Sequence, residues 1–170
     1  DSRLSVHNAI FNGSVEGDTV SSMHLSQNGF MNMTADSKVA QFISQSGKLS
    51  LVGDNWKPKT FTVGVMDASN MLISLGVDVA SSTGDKIIIE SEAKGGNNSL
   101  DISSMLDGDQ RLKKDLTVAS APAGTPTNYF SLASFSRGFS TFNPETQVVE
   151  QDGKVLWQLK HSNPESVANE

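Results

Sequence analysis

Five carboxylates between residues 78 and 101, namely Asp78, Asp85, Glu90, Glu92 and Asp101, are the side chains best placed by type and spacing to do chemistry. Glycan hydrolysis needs two acidic groups on one face, one acting as acid and the other as base or nucleophile. Extended chain alternates its side chains between faces, which sets Glu90 and Glu92 on one side. They lie at the polar end of the aliphatic run in "TGDKIIIESEAKGGNNSLDI" (83–102), where solvated carboxylates are ordinary. The reading taken is therefore non-enzymatic, with no cofactor.

Other chemistries find less support. His7, His24 and His161 fall in separate segments without the i,i+2 or i,i+4 partner of a metal site. No Gly-x-Ser-x-Gly raises a serine nucleophile. "GGNNSLDI" has the look of a calcium-binding nonapeptide but carries Asn98 where glycine is needed and Leu100 where aspartate is needed, and it does not recur. "DGDQ" (107–110) lacks the ligand alternation of an EF-hand and reads as a turn. With no cysteine there are neither disulfides nor thiolate ligands. Asn-x-Ser/Thr triplets at Asn12, Asn32 and Asn97 are as many as chance supplies in so asparagine- and serine-rich a chain.

A net charge of −6 with scattered lysines and arginines excludes a nucleic-acid surface. The one basic cluster, Arg111 with Lys113 and Lys114, is bracketed by Asp109 and Asp115 and reads as a solvated turn. No run approaches the roughly 18 apolar residues of a membrane-spanning helix. Asp1 follows neither methionine nor a leader-like segment, so the sequence reads as part of a longer protein.

The elements that must carry these residues are strands. Serine, threonine and asparagine make up 47 of the 170 residues, a composition of short strands and turns rather than helices. Period-two alternation appears at Phe30–Met33, Val39–Ile43, Leu49–Leu51, Thr60–Val65, Met71–Val79 and Lys86–Glu90. Turn sequences such as Asn12-Gly13, Glu16-Gly17-Asp18, Gln27-Asn28-Gly29, Gln45-Ser46-Gly47 and Gly53-Asp54-Asn55 fall between them. A sandwich of hairpins and a parallel β-helix both satisfy this pattern. The repeat favours the helix, because Phe30–Met33, Val39–Ile43 and Lys48–Val52 grouped as one coil give about 24 residues per turn.

The later half changes texture. "SMLDGDQRLKK" is charged, Leu116–Val118 reads as a strand, and "ASAPAGTPTN" is an irregular connection. Strands resume at Tyr129–Leu132 and Phe139–Phe142. Asp152-Gly153 between Val148-Val149 and Val155–Trp157 is a strong hairpin motif, suited to closing the open edge of a solenoid. The residues from Pro164 onward read as a polar tail. The expected division is coils over 1–100, a capping element over 101–163 sharing their core, and a tail over 164–170. Trp56, Phe61, Phe130, Phe135, Phe139, Phe142 and Trp157, large apolar side chains suited to a cap, lie mostly in the second half of the chain.

"FTVGVMDASNMLISLGVDVASSTGDKIIIESEAKGGNNSLDI", "DLTVASAPAGTPTNYFSLA" and "VLWQL", in that order, resemble the C-terminal autochaperone, or pertactin-like, region of bacterial autotransporter passengers. The upstream "MHLSQNGFMNMTADSKVAQFISQSGKLSLVGDNW" resembles the polar coils that precede it. Within that family the likeness is to surface autotransporters of actin-based motility. The long charged segment between Leu100 and Leu116 departs from the family pattern.

The resemblance implies an all-β fold, a right-handed parallel β-helix capped by a C-terminal sandwich or hairpin element. It implies export to the bacterial cell surface and a role in folding the upstream coils as they leave the translocator barrel. The implied partners are the protein's own upstream coils and that barrel, with a host protein and self-association left open and nucleic acid excluded. The candidate folding-core and cap residues are Trp56, Phe61, Ile87, Ile89, Leu116, Val118, Tyr129, Phe130 and Trp157. Adhesin-like binding without a folding role is the alternative.

Overall fold

The computed structural model describes residues 3–7, 9–15, 22–26, 28–105, 112–136 and 144–161, with the side chains of 133–136 left aside. The described residues form strands and no helix. In chain order these are β1 (Arg3–Val6), β2 (Ile10–Gly13), β3 (Ser22–Leu25), β4 (Phe30–Met33) and β5 (Ser37–Gln45). There follow β6 (Lys48–Ser50), β7 (Thr60–Ser69), β8 (Leu72–Asp78), β9 (Thr83–Gly84) and β10 (Lys86–Gly96). The last are β11 (Asn98–Ser104), β12 (Leu116–Pro122), β13 (Phe130–Ser136), β14 (Thr146–Gln151) and β15 (Lys154–Leu159).

From β1 to β8 and from β10 to β14, successive strands alternate between two sheets. One sheet runs β1-β3-β5-β7-β10-β12-β15-β14 and the other β13-β11-β8-β6-β4-β2. Pairing is parallel except where β15 joins β12 and β14, and where β9 joins β8. Ser37 lies opposite Phe61 and Lys48 opposite Leu72, each 24 positions on, which is the spacing read from the sequence.

The grouping of three strands into one coil is corrected. Phe30 pairs with Lys48, so β4 and β6 belong to adjacent rungs rather than to one. A break within the long strands supplies the extra side. In β5 the buried positions are Ser37 and Val39, then Phe42 and Ser44, with Ala40 and Gln41 both exposed between them. The same phase change recurs at Gly64–Val65 in β7, whereas β10 breaks at Glu90–Glu92 with three exposed residues in a row, one residue more than β7. A Cβ at Gly64 would stand 2.5 Å from the carbonyl oxygen of Ala40, so this break needs glycine for close backbone approach. β7 and β10 also run further than expected, to Ser69 and Gly96. Their polar second halves hold because they pair with each other, Glu92 opposite Val65 and Gly96 opposite Ser69.

Inward side chains stack rung on rung. Phe11, Met31, Leu49, Ile73 and Leu100 occupy one register column, and Met23, Phe42 and Met66 another. Burial of such side chains contributes about 1.5–3 kcal/mol each. Phe42 meets the ring of Phe61 edge-on at 5.3 Å.

The turn between the two sheets repeats as strictly. Asn28, Ser46, Asn70 and Asn97 each stand two residues before a paired position, and all four have φ between 57° and 62°. That left-handed conformation suits asparagine, whose short amide offsets part of its cost. Asn97 Nδ2 donates to Asn70 Oδ1 at 2.6 Å, binding one rung to the next.

At the C-terminal side Asp152 (φ 53°) and Gly153 (φ 74°) form the expected two-residue turn, and Val148 faces Trp157 across it. β11 runs through position 100, so the boundary drawn there falls inside a strand. The expected strand at Phe139–Phe142, the turns at Glu16–Asp18 and "DGDQ", the charged cluster at Asp109 and Arg111, and the tail from Pro164 lie outside the described residues.

Candidate functional site

The structure places the five candidate carboxylates in unlike settings. Glu90 and Glu92 are exposed at the register shift in β10, where the intervening Ser91 is exposed too, so simple alternation does not operate there. Nor do they mark a strand end, since β10 continues to Gly96. Asp78 accepts a hydrogen bond from Ser81 Oγ at 2.7 Å. Asp101 is half-buried on β11 opposite Ser74, and Glu92 is opposite Val65. Among the described residues no three histidine or acidic side chains converge as a metal site. His7 contacts Ser26 Oγ, His24 contacts Arg3, and His161 meets Asp115 Oδ1 at 2.6 Å. Lys113 and Lys114 are exposed.

Asp85 is the exception, since it is fully buried. Its Oδ2 accepts the indole N–H of Trp56 at 2.9 Å and the backbone N–H of Gly76 at 2.7 Å. Its Oδ1 accepts the backbone N–H of Lys59 at 2.8 Å, and Lys59 Nζ stands 4.0 Å away. Burial pushes the Asp85 carboxyl up to about 6, against the opposing pull of Trp56, Gly76 and Lys59. Burial also lowers Lys59, with Asp85 and Asp36 pulling the other way.

The clamp exists because the segment between β6 and β7 leaves the stacking pattern. Leu51 still joins the core, but Trp56 packs on the outer surface of β8 at Gly76, apart from the central apolar cluster. A Cβ at Gly76 would lie 2.7 Å from Trp56 Nε1 and 2.4 Å from Met105 Cγ, so only glycine leaves room for the indole. Asp85 thus ties this segment to β8 and to the start of β10.

A second polar and aromatic cluster closes the other end. Tyr129, Phe130 and Trp157 form a row of edge-on rings with centroids 4.9 Å and 5.0 Å apart. Trp157 Nε1 donates to the carbonyl of Thr127 at 3.0 Å, and the Tyr129 hydroxyl donates to that of Lys94 at 2.8 Å. Burial raises the Tyr129 phenol to about 12. Beneath this row Asn98 is fully buried, its Oδ1 accepting from Met71 N at 3.1 Å and its Nδ2 donating to Ala68 O at 3.1 Å. Sequence reasoning met Asn98 only as the residue standing where a calcium-binding nonapeptide needs glycine; its amide supplies both the donor and the acceptor that the turn requires.

All nine core and cap candidates are buried: Trp56, Phe61, Ile87, Ile89, Leu116, Val118, Tyr129, Phe130 and Trp157. Tyr129, Phe130 and Trp157 are brought together, whereas Trp56 stands alone in its clamp. The side chain of Phe135 and the residues Phe139 and Phe142 lie outside what is described.

No protein-family model matches the chain. Among curated proteins it is similar to the serine protease Sat autotransporter of Escherichia coli O6:H1 (strain CFT073), with 24% identity over 132 residues. That alignment takes in 78% of this chain and 10% of the autotransporter's length.

Proposed function

We propose that this chain is the closing part of an autotransporter passenger, a right-handed parallel β-helix whose last rungs are capped by the β14–β15 hairpin, and that it acts as an autochaperone without enzymatic activity. In this reading it is exported to the bacterial cell surface, folds early, and offers its first rung as a template for the coils upstream. The division into coils over 1–100 and a cap over 101–163 belongs to the same reading, with the core crossing the boundary through β11. Because the similar protein is a serine protease autotransporter, the reading extends to a passenger role and not to actin-based motility.

One observation carries it: the two ends of the stack differ. At one end antiparallel β15 and β14 turn the last parallel strand back on itself over the Tyr129–Phe130–Trp157 row. At the other end β1 and β2 each have one pairing partner among the described strands, and Ile10 is 67% exposed. In a stack whose rungs contact only their neighbours, structure spreads from the closed end toward the open one.

The test is deletion of residues 116–161 from the whole autotransporter, followed by protease treatment of cells. The proposal expects loss of the protease-resistant passenger with the barrel still inserted in the outer membrane. A deleted passenger that still becomes protease-resistant overturns it.

A further inference from the structure

A cleft of about 340 Å³ opens where the segment between β6 and β7 passes the outer surface of β2 and β4. Its wall on the sheet side is an amide pair. Asn12 and Asn32 are register partners on adjacent strands, and Asn32 points outward because Met31 and Met33 beside it are buried. The facing wall carries Asn55, at φ 54°, and Lys57. Gly53 packs flat against the Asn32 amide, where a Cβ would come within 3.3 Å of both its terminal atoms.

Lys59 contributes a nearly buried ammonium to the lining, its side chain 9% exposed. One of its three N–H groups is spent on the carbonyl of Lys57 at 2.9 Å, and Asp85 at 4.0 Å lies beyond hydrogen-bond reach. Burial works against its charge, so an anion in the cleft would relieve a standing cost. The lining holds two lysines against one aspartate, Asp54, in a chain of net charge −6. The Asn12, Asn32, Asn55 and Lys57 side chains make no hydrogen bond to another described residue. Trp56, pinned to Asp85, holds the segment in place, so the cleft is formed before any ligand arrives.

We infer that this cleft is a binding site for a carboxylate-bearing saccharide, with Lys57 and Lys59 receiving the carboxylate and the Asn12–Asn32 pair receiving ring hydroxyls. An amide both donates and accepts, which matches a hydroxyl, and two amides on neighbouring strands stand about 4.8 Å apart, on the scale of a sugar ring. An acidic peptide fits less well, because the lining offers no aromatic anchor and its one sizeable apolar residue, Met33, is itself buried in the core. The inference does not depend on the folding role proposed above.

The test is titration of the whole chain, followed by amide NMR and calorimetry, with trigalacturonate, its methyl ester and a triglutamate peptide. Expected are saturable binding of trigalacturonate with shifts at Asn12, Asn32 and Asn55, and affinity about 10-fold weaker for the neutral ester. Lys57→Met and Asn32→Ala should each weaken binding about fivefold or more at an unchanged urea midpoint. Asn12→Ala replaces either variant that alters stability. Absence of saturation up to about 20 mM overturns the assignment. So do equal affinity for the ester, equal affinity for the peptide, shifts confined to another surface, or variants that bind as the parent does.

Discussion

Trp56 and Asp85 stand 29 positions apart in the chain, yet the indole of one donates to the carboxylate of the other at 2.9 Å in a fully buried contact. Neither residue belongs to the stacked interior, and the carboxylate also accepts from Lys59 N–H in the segment of Trp56 and from Gly76 N–H in β8. The contact is a crosswise tie laid over a structure otherwise built from repeats.

Removing Asp85 orphans three buried N–H donors at once. Asp85→Ala should cost on the order of 3–5 kcal/mol, while Trp56→Phe, which removes one hydrogen bond, should cost about 1–2 kcal/mol. Gly76→Ala should fall between them by displacing the ring. Urea midpoints of the three variants, measured at a common slope, check the order.

The same residue fixes a pH dependence. A carboxyl raised from 3.8 to about 6 binds its proton more tightly when folded than when unfolded. Its contribution is therefore fully present below the unfolded value and is lost as pH rises through about 6. Asp115 works in the opposite sense, since its hydrogen bonds to His161 lower it and its contribution is lost as pH falls. The stability difference between the parent and Asp85→Asn, followed from pH 4 to 7, isolates the first effect. It should move against the parent by on the order of 2 kcal/mol. A flat difference would show that burial does not set this carboxyl.

Trp157 bridges the hairpin to Phe130, and its indole is satisfied by Thr127. Trp157→Ala should cost about 3–5 kcal/mol through lost burial and the cavity left behind. Trp157→Phe should recover much of that and still lose the hydrogen bond. Near-ultraviolet circular dichroism during urea unfolding reads both.

In the turn column, Asn70→Gly should leave stability within about 1 kcal/mol of the parent, because glycine takes φ 57° without strain. Asn70→Val should cost about 1–2 kcal/mol. Asn98→Leu, which leaves Met71 N–H and Ala68 C=O buried without partners, should cost more than either, about 2–4 kcal/mol. Thermal midpoints of the three rank them.

What the sequence discloses follows the range of the interaction. Asp152-Gly153 was legible because its left-handed turn depends on those two residues alone, and Ile87 and Ile89 were legible as inward because alternation is local. The phase change at Ala40–Gln41 was not, since two outward residues in a row look like the end of a strand. The pairing of β4 with β6 was hidden for a related reason: the spacing between equivalent residues shifts from 18 at Phe30 and Lys48 to 24 at Lys48 and Leu72. Asp85 could not be seen as buried, because its partners at 56, 59 and 76 come from other segments. One clue was available: Trp56 stands alone in the polar stretch "GDNWKPK", and an indole outside the alternating pattern still needs an acceptor.

The hairpin that ends the larger sheet has a kinetic side. Val148 meets Trp157 nine positions along the chain, whereas parallel partners are separated by 18 to 33. Loop-closure entropy rises by about 0.6 kcal/mol for each doubling of length, so the hairpin closes at about 1 kcal/mol less cost than a typical rung. The hairpin is thus quick to form but slow to dock, since its pairing with β12 spans 32 to 43 positions and the next rung, Ile87 with Ala119, spans 32, against 19 between Arg3 and Ser22 at the far end.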